Sequence, residues 1–75
     1  SVHPRVVVQR ALELKVCAAA ICHHSHPSGD PSPSQADEVI TRKLKSALAL
    51  VEVRLLDHII VSSIGSVSLA ERGII

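Results

Sequence analysis

Seven consecutive residues, Pro27-Ser28-Gly29-Asp30-Pro31-Ser32-Pro33, constrain this chain more sharply than any others. Proline removes a backbone donor and fixes φ, so a segment this rich in it is neither a helix interior nor a central strand, and Gly and Asp add turn chemistry. One element must therefore end just before this loop and another begin just after it. The loop turns the second back towards the end of the first.

Before the loop, Pro4 suits the first position of a helix, and Val8, Ala11 and Leu12, with Val7 and Leu14, form an apolar stripe at helical spacing. The pattern predicts a helix over about 4–14. The apolar run Ala18 to Cys22 predicts a short buried strand ending at the histidines. After the loop, Ser34 is the N-cap of a second helix reaching about Leu50. Its inward positions are Ala36, Ile40, Leu44, Ala47, Leu48 and Val51, while Glu38, Thr41, Arg42 and Lys45 fall largely on the wet face. Ile59, Ile60 and Val61 predict a strand over Leu55 to Val61, Ser62-Ser63-Ile64-Gly65 a turn, and Val67 and Leu69 alternating with Ser66 and Ser68 a last strand. The fold class is α/β, a small mixed sheet with flanking helices in one unit over 1–75. There is no internal repeat.

The histidines meeting the loop carry the chemistry. In an extended chain, residues two apart point to one side and sit roughly 6.5 Å apart, so His24 and His26 can reach one ion while Ser25 faces away. Asp37, three residues after Ser34, offers a third donor from the first turn of the second helix. Three nitrogen and oxygen donors leave a fourth place for water, which is the arrangement of a catalytic zinc site, and zinc lowers the pKa of such a water to about 7. The bland alternative is that His23, His24 and His26 are surface histidines and Ser34-x-x-Asp37 is only a capping box. The two roles of Asp37 are compatible. A rival set of Cys22, His24 and His26 shares one strand face, but its ends lie roughly 13 Å apart in an extended chain.

His24-x-His26-Pro27 followed by Ser34-x-x-Asp37 resembles the metal motif of the JAMM/MPN metallopeptidase superfamily, also called JAB. The run from His26 to Ser34, with Asp37, Ile40-Thr41, Leu44, Arg54-Leu55-Leu56-Asp57-His58 and Val67-Ser68-Leu69 through Gly73, is similar to the bacterial RadC family. The resemblance runs from about Val2 to Ile75. It implies an MPN/JAB-like fold with cytidine deaminase-like layering, zinc held by His24, His26 and Asp37, and a Ser34 hydroxyl that helps stabilise a tetrahedral intermediate. It also implies a general-base Glu on an upstream strand, for which this chain has no counterpart. Glu13, the first carboxylate, falls in the first helix, so the chain is expected to be the C-terminal part of a longer domain. Three departures stand out: Ser25 where the family usually has Asn, Val6 where it usually has Glu, and one inserted residue between Leu14 and His24. An inserted residue would turn His24 and His26 to the opposite face unless a bulge absorbed it.

Composition sets the remaining bounds. The chain has 75 residues and no Phe, Tyr, Trp or Met, so its core must come from smaller apolar side chains, and marginal stability is expected. A net charge of +1 and the lack of aromatic side chains give no basic platform on which nucleic-acid bases could stack. No apolar run approaches the ~20 residues that span a bilayer. Cys17 and Cys22 lie five apart, on opposite faces of one strand, which argues against a mutual disulfide, fits a reducing cytoplasm and predicts buried, inert thiols. Asp57-His58 is a polar pair inside an apolar segment, expected either to satisfy buried groups or to orient a ligand histidine.

Three functions follow from these readings. The first is a zinc-dependent hydrolase of peptidase type acting on a peptide or protein. The second is a DNA repair-associated module, a label RadC-like proteins have carried. The third is a catalytically inactive fragment that keeps the metal cage. Substrate and oligomeric state are not encoded in these residues.

Overall fold

A computed structural model describes residues 2–24 and 29–75. Helix α1, Pro4–Leu14, is followed by β1, Ala18–His24, α2, Gln35–Leu50, β2, Arg54–Ser62, and β3, Gly65–Ser68. The sheet has the order β1-β2-β3, with β1 parallel to β2 and β3 antiparallel to it. This is the mixed α/β sheet that the sequence predicts, with β2 as the central strand.

Each helix ends where local chemistry stops it. Pro4 opens α1, and Lys15, in the left-handed region at φ 54°, closes it by donating its backbone N–H to Ala11 and Leu12 carbonyls. Ser34 caps α2. At the other end Glu52 takes φ 61°, and the Val53 N–H returns to the Leu48 carbonyl at 2.8 Å, aiming the chain into β2.

Ala11, Leu44, Leu48, Val53 and Leu55 form the buried cluster, bordered by Val7, Val8, Ile21 and Ile40. The helical periodicity of α2 is the one predicted at Ile40, Leu44 and Leu48. Three expectations are corrected. Leu12 and Leu14 are both 54% exposed, because α1 buries only Ala11 fully and leans on Val7 and Val8. Ala36 is exposed, lying in the first turn of α2 before the helix reaches the core. Thr41, placed by pattern on the wet face, is fully buried, because its hydroxyl has two partners in the interior.

Strand β1 is an edge strand that is half-buried at alternate positions, so the expected buried strand is also corrected. Both cysteines are free, as their spacing predicts, but both are exposed and not buried, Cys22 because it points to the uncovered side of this edge strand.

The irregularity in the sheet lies in β2. Ala19 pairs with Leu55 and Ala20 with Asp57, so Leu56 has no partner on β1. A bulge of this kind shifts the strand's alternation by one. Leu55, His58 and Ile60 thereby share the buried face, and Leu56 is left 50% exposed.

Asp57 ties β2 to the chain after β3. It accepts from the Ser68 hydroxyl at 2.6 Å, the Ala70 N–H at 3.0 Å and the His58 N–H at 2.7 Å. Burial pushes its pKa up, but these hydrogen bonds outweigh that and hold it below the ordinary value. A carboxylate with a lowered pKa adds stability that is present above about pH 4 and lost as pH falls through the folded-state value. Melting temperature should therefore drop on acidification below about pH 4, and Asp57→Asn, less stable at pH 7, should show a shallower drop over the same range; equal slopes would contradict this role.

Candidate metal centre

The start of α2 fixes the one acidic donor. The Ser34 N–H donates to Asp37 Oδ2 at 2.8 Å, and the Asp37 N–H donates to Ser34 Oγ at 3.1 Å, a reciprocal capping box. Asp37 is thus held at two points, with Oδ1 turned towards β1. Burial raises its pKa, yet the Ser34 hydrogen bonds, with the proximity of His23 and His58, bring it below the ordinary value, so it is an anion at neutral pH. Ser34 itself is exposed, and its hydroxyl proton is not consumed by the bond it accepts.

The histidine that meets Asp37 is His23. Its Nε2 lies 3.9 Å from Asp37 Oδ1, and the two side chains are 25% and 19% exposed. His24, next in the strand, is exposed on the opposite face with Cys22 and Ala20. Among the expected ligands and helper, Ser34 and Asp37 are therefore brought together. His24 is directed away from them, and His26 lies outside the described residues. The irregularity that falls before the motif, between Ala19 and Ala20, has its extra residue, Leu56, on β2 and leaves the phase of β1 unaltered.

Behind His23 lies a hydrogen-bonded chain. His23 Nδ1 is 2.6 Å from His58 Nε2, with the rings tilted by 54° and centroids 4.8 Å apart. His58 Nδ1 is 2.7 Å from Thr41 Oγ1, which donates to the Asp37 carbonyl at 2.7 Å. His58 is fully buried, and that burial, then the proximity of His23, lowers its pKa against the opposing pull of Asp37 and Asp57, so it is neutral. Of the two expected uses of Asp57-His58 the first is realised, since Asp57 satisfies backbone and hydroxyl groups, while His58 hydrogen-bonds His23 and Thr41. Sequence pattern missed Thr41 and His23. A hydroxyl between Ile40 and Leu44 carries no periodic signal, and His23 is outside the x-separated pair.

Gly29 lies close to the β2–β3 turn. Gly29 has φ 81°, and a Cβ built there would lie 3.3 Å from the Ser63 hydroxyl. Ser32 N–H donates to Asp30 Oδ1 at 2.9 Å, a local turn that lowers the Asp30 pKa. Among the described residues no group of three His, Cys, Asp or Glu side chains converges on one point. The donor pair present is an imidazole nitrogen and a carboxylate oxygen, both of which zinc accepts.

A small mixed sheet that delivers histidines at the end of a parallel strand, opposite an Asp in the first turn of the following helix, defines an α/β unit with a candidate metal centre between strand and helix. The chain belongs to the RadC family: the model of the RadC-like JAB domain matches residues 1–74. It is 59% identical over its whole length to a UPF0758 protein of Methylibium petroleiphilum, covering 33% of that protein. It is 58% identical over 97% of its length to a UPF0758 protein of Vibrio cholerae, covering 45% of it, and 56% identical over its whole length to one of Coxiella burnetii, covering 33%. The chain thus spans between a third and a half of these relatives. No helix among the described residues is long and apolar enough to cross a membrane.

Replacing Thr41 with Val keeps the shape but removes both hydrogen bonds, leaving His58 Nδ1 unpaired in the interior. The expected cost is about 1–3 kcal/mol, the range for an unsatisfied buried group. Thr41→Ser keeps the hydroxyl and should cost less. Chemical denaturation of the two variants checks the order, and a Ser variant less stable than the Val variant would contradict it.

Proposed function

We propose that this chain carries the metal-binding part of a zinc-dependent hydrolase of the RadC-like JAB type, acting on an amide bond of a peptide or protein in the cytoplasm. The observation that carries this reading is the anionic Asp37, held by a capping box with Oδ1 directed at an imidazole nitrogen 3.9 Å away. The family motif assigns the ligands as His24, His26 and Asp37, and the Ser34 hydroxyl as a donor to the oxyanion. Zinc bound here would act as a Lewis acid and bring the pKa of a water close to 7.

The residues of this chain do the rest. Ser34 fixes Asp37 through its backbone N–H while its hydroxyl stays free to donate to a developing negative charge. The capping box makes α2 and the donor set one unit, so Asp37 is positioned before any ligand arrives. The general base in this proposal is a Glu carried by a preceding strand of the whole domain. A DNA-binding reading gains no support from α2, where Arg42 pairs with Glu38 at 3.8 Å and is well exposed, as a solvated helix face would be.

Metal analysis of the intact protein, purified without added metal, tests the reading. About one zinc per chain is expected for a site of this kind, with Asp37→Ala losing most of it and its amide-hydrolysing activity. Equal zinc content in the two proteins would defeat the proposal.

A further inference from the structure

We propose that the groove at the start of β2 binds a short apolar peptide by its free termini and its side chains. This site is separate from the candidate metal centre and does not rest on the zinc reading. Arg54 opens β2, and Val61, seven residues on, pairs with His24, so the two sites lie roughly 23 Å apart along the sheet.

The groove has a volume of about 510 Å³, within the range of roughly 300–1,000 Å³ that holds small ligands. Its floor is apolar: Val53 and Leu55 are buried, and Leu56 is 50% exposed. Leu56 owes that exposure to the bulge, which leaves it without a partner on β1. Bulges recur beside binding sites, where they re-aim a side chain. A second irregularity adjoins this one. Glu52, which also lines the groove, follows the C-cap of α2 at φ 61°, a place that glycine usually fills because a side chain there strains the backbone. Strained residues of this kind cluster at ligand sites.

Three charges stand around the apolar floor. Lys45, Glu52 and Arg54 line the groove and are exposed, and among the described residues none of them has an ion-pair partner. Glu52 therefore shares the groove with both cations without neutralising either. A molecule that carries both signs on an apolar body complements this set. The planar fork of Arg54, with Lys45, suits a terminal carboxylate, Glu52 suits an ammonium group, and the floor suits one or two branched apolar side chains. A phosphate chain would meet Glu52 and leave the apolar floor uncovered.

Calorimetric titration of the intact protein with L-leucyl-L-leucine tests this. Saturable binding is expected, with Arg54→Gln and Glu52→Gln each weaker by about 10-fold or more, the worth of one charge-assisted contact. Both replaced side chains are exposed, so neither change disturbs the core. N-acetyl-leucyl-leucine amide, with the same side chains and no charge, and glycylglycine, with the termini alone, should each bind weaker than leucyl-leucine by about 10-fold or more. Asp37→Ala, altered at the candidate metal centre, should bind the dipeptide within about 3-fold of the parent, as a change remote from the groove would. No saturable binding of the dipeptide, or unchanged affinity in both Gln variants, overturns the proposal. A loss in Asp37→Ala matching that in Arg54→Gln also overturns it, since the dipeptide would then occupy the metal centre.

Discussion

A fully buried imidazole must have both nitrogens bonded, and the way His58 meets that requirement organises the site. Its Nδ1 is satisfied by a threonine inside α2 and its Nε2 by a histidine on β1. One residue of the central strand therefore fastens the helix and the edge strand to each other through directional bonds, where apolar packing alone would leave their relative orientation free. Among the described residues no buried side-chain nitrogen or oxygen lacks a partner, so the polar chain lies within the core without an unsatisfied group.

That arrangement depends on the bulge at Leu56. With regular alternation from Leu55, the residues on the buried face would be Asp57 and Ile59, and His58 would point away from α2. The extra residue turns Asp57 to the β3 side, where Ser68 and Ala70 satisfy it, and turns His58 to the helix side, where Thr41 does. A single irregularity thus sorts two adjacent polar residues to two different tasks. Leu56 is the residue left over, half exposed with nothing opposite it on β1.

The order and type of the elements are legible in the sequence because each is bounded by strong local signals: Pro4 at a helix start, the proline-rich loop, the Ser34-Asp37 box and the β-branched run of β2. The bounds of the long periodic α2 and its capping box match the pattern closely. Strand phase is less legible. Which of the adjacent Asp57 and His58 faces the helix turns on where a one-residue irregularity falls, and Leu56 looks like any apolar strand residue. Burial of Thr41 is hidden for a related reason, since only a partner far along the chain makes an interior hydroxyl acceptable. The motif points to Asp37 and the histidine cluster, while the identity of the histidine facing Asp37 emerges only once the strand is placed beside α2.

The central claim is that the bonds from Thr41 through His58 fix which nitrogen of His23 carries its proton. Long-range proton–nitrogen NMR of the metal-free protein, labelled in its histidines, reads this directly at neutral pH. The account predicts His58 and His23 both protonated on Nδ1, with His58 Nε2 accepting from His23. A neutral His23 protonated on Nε2 would contradict it.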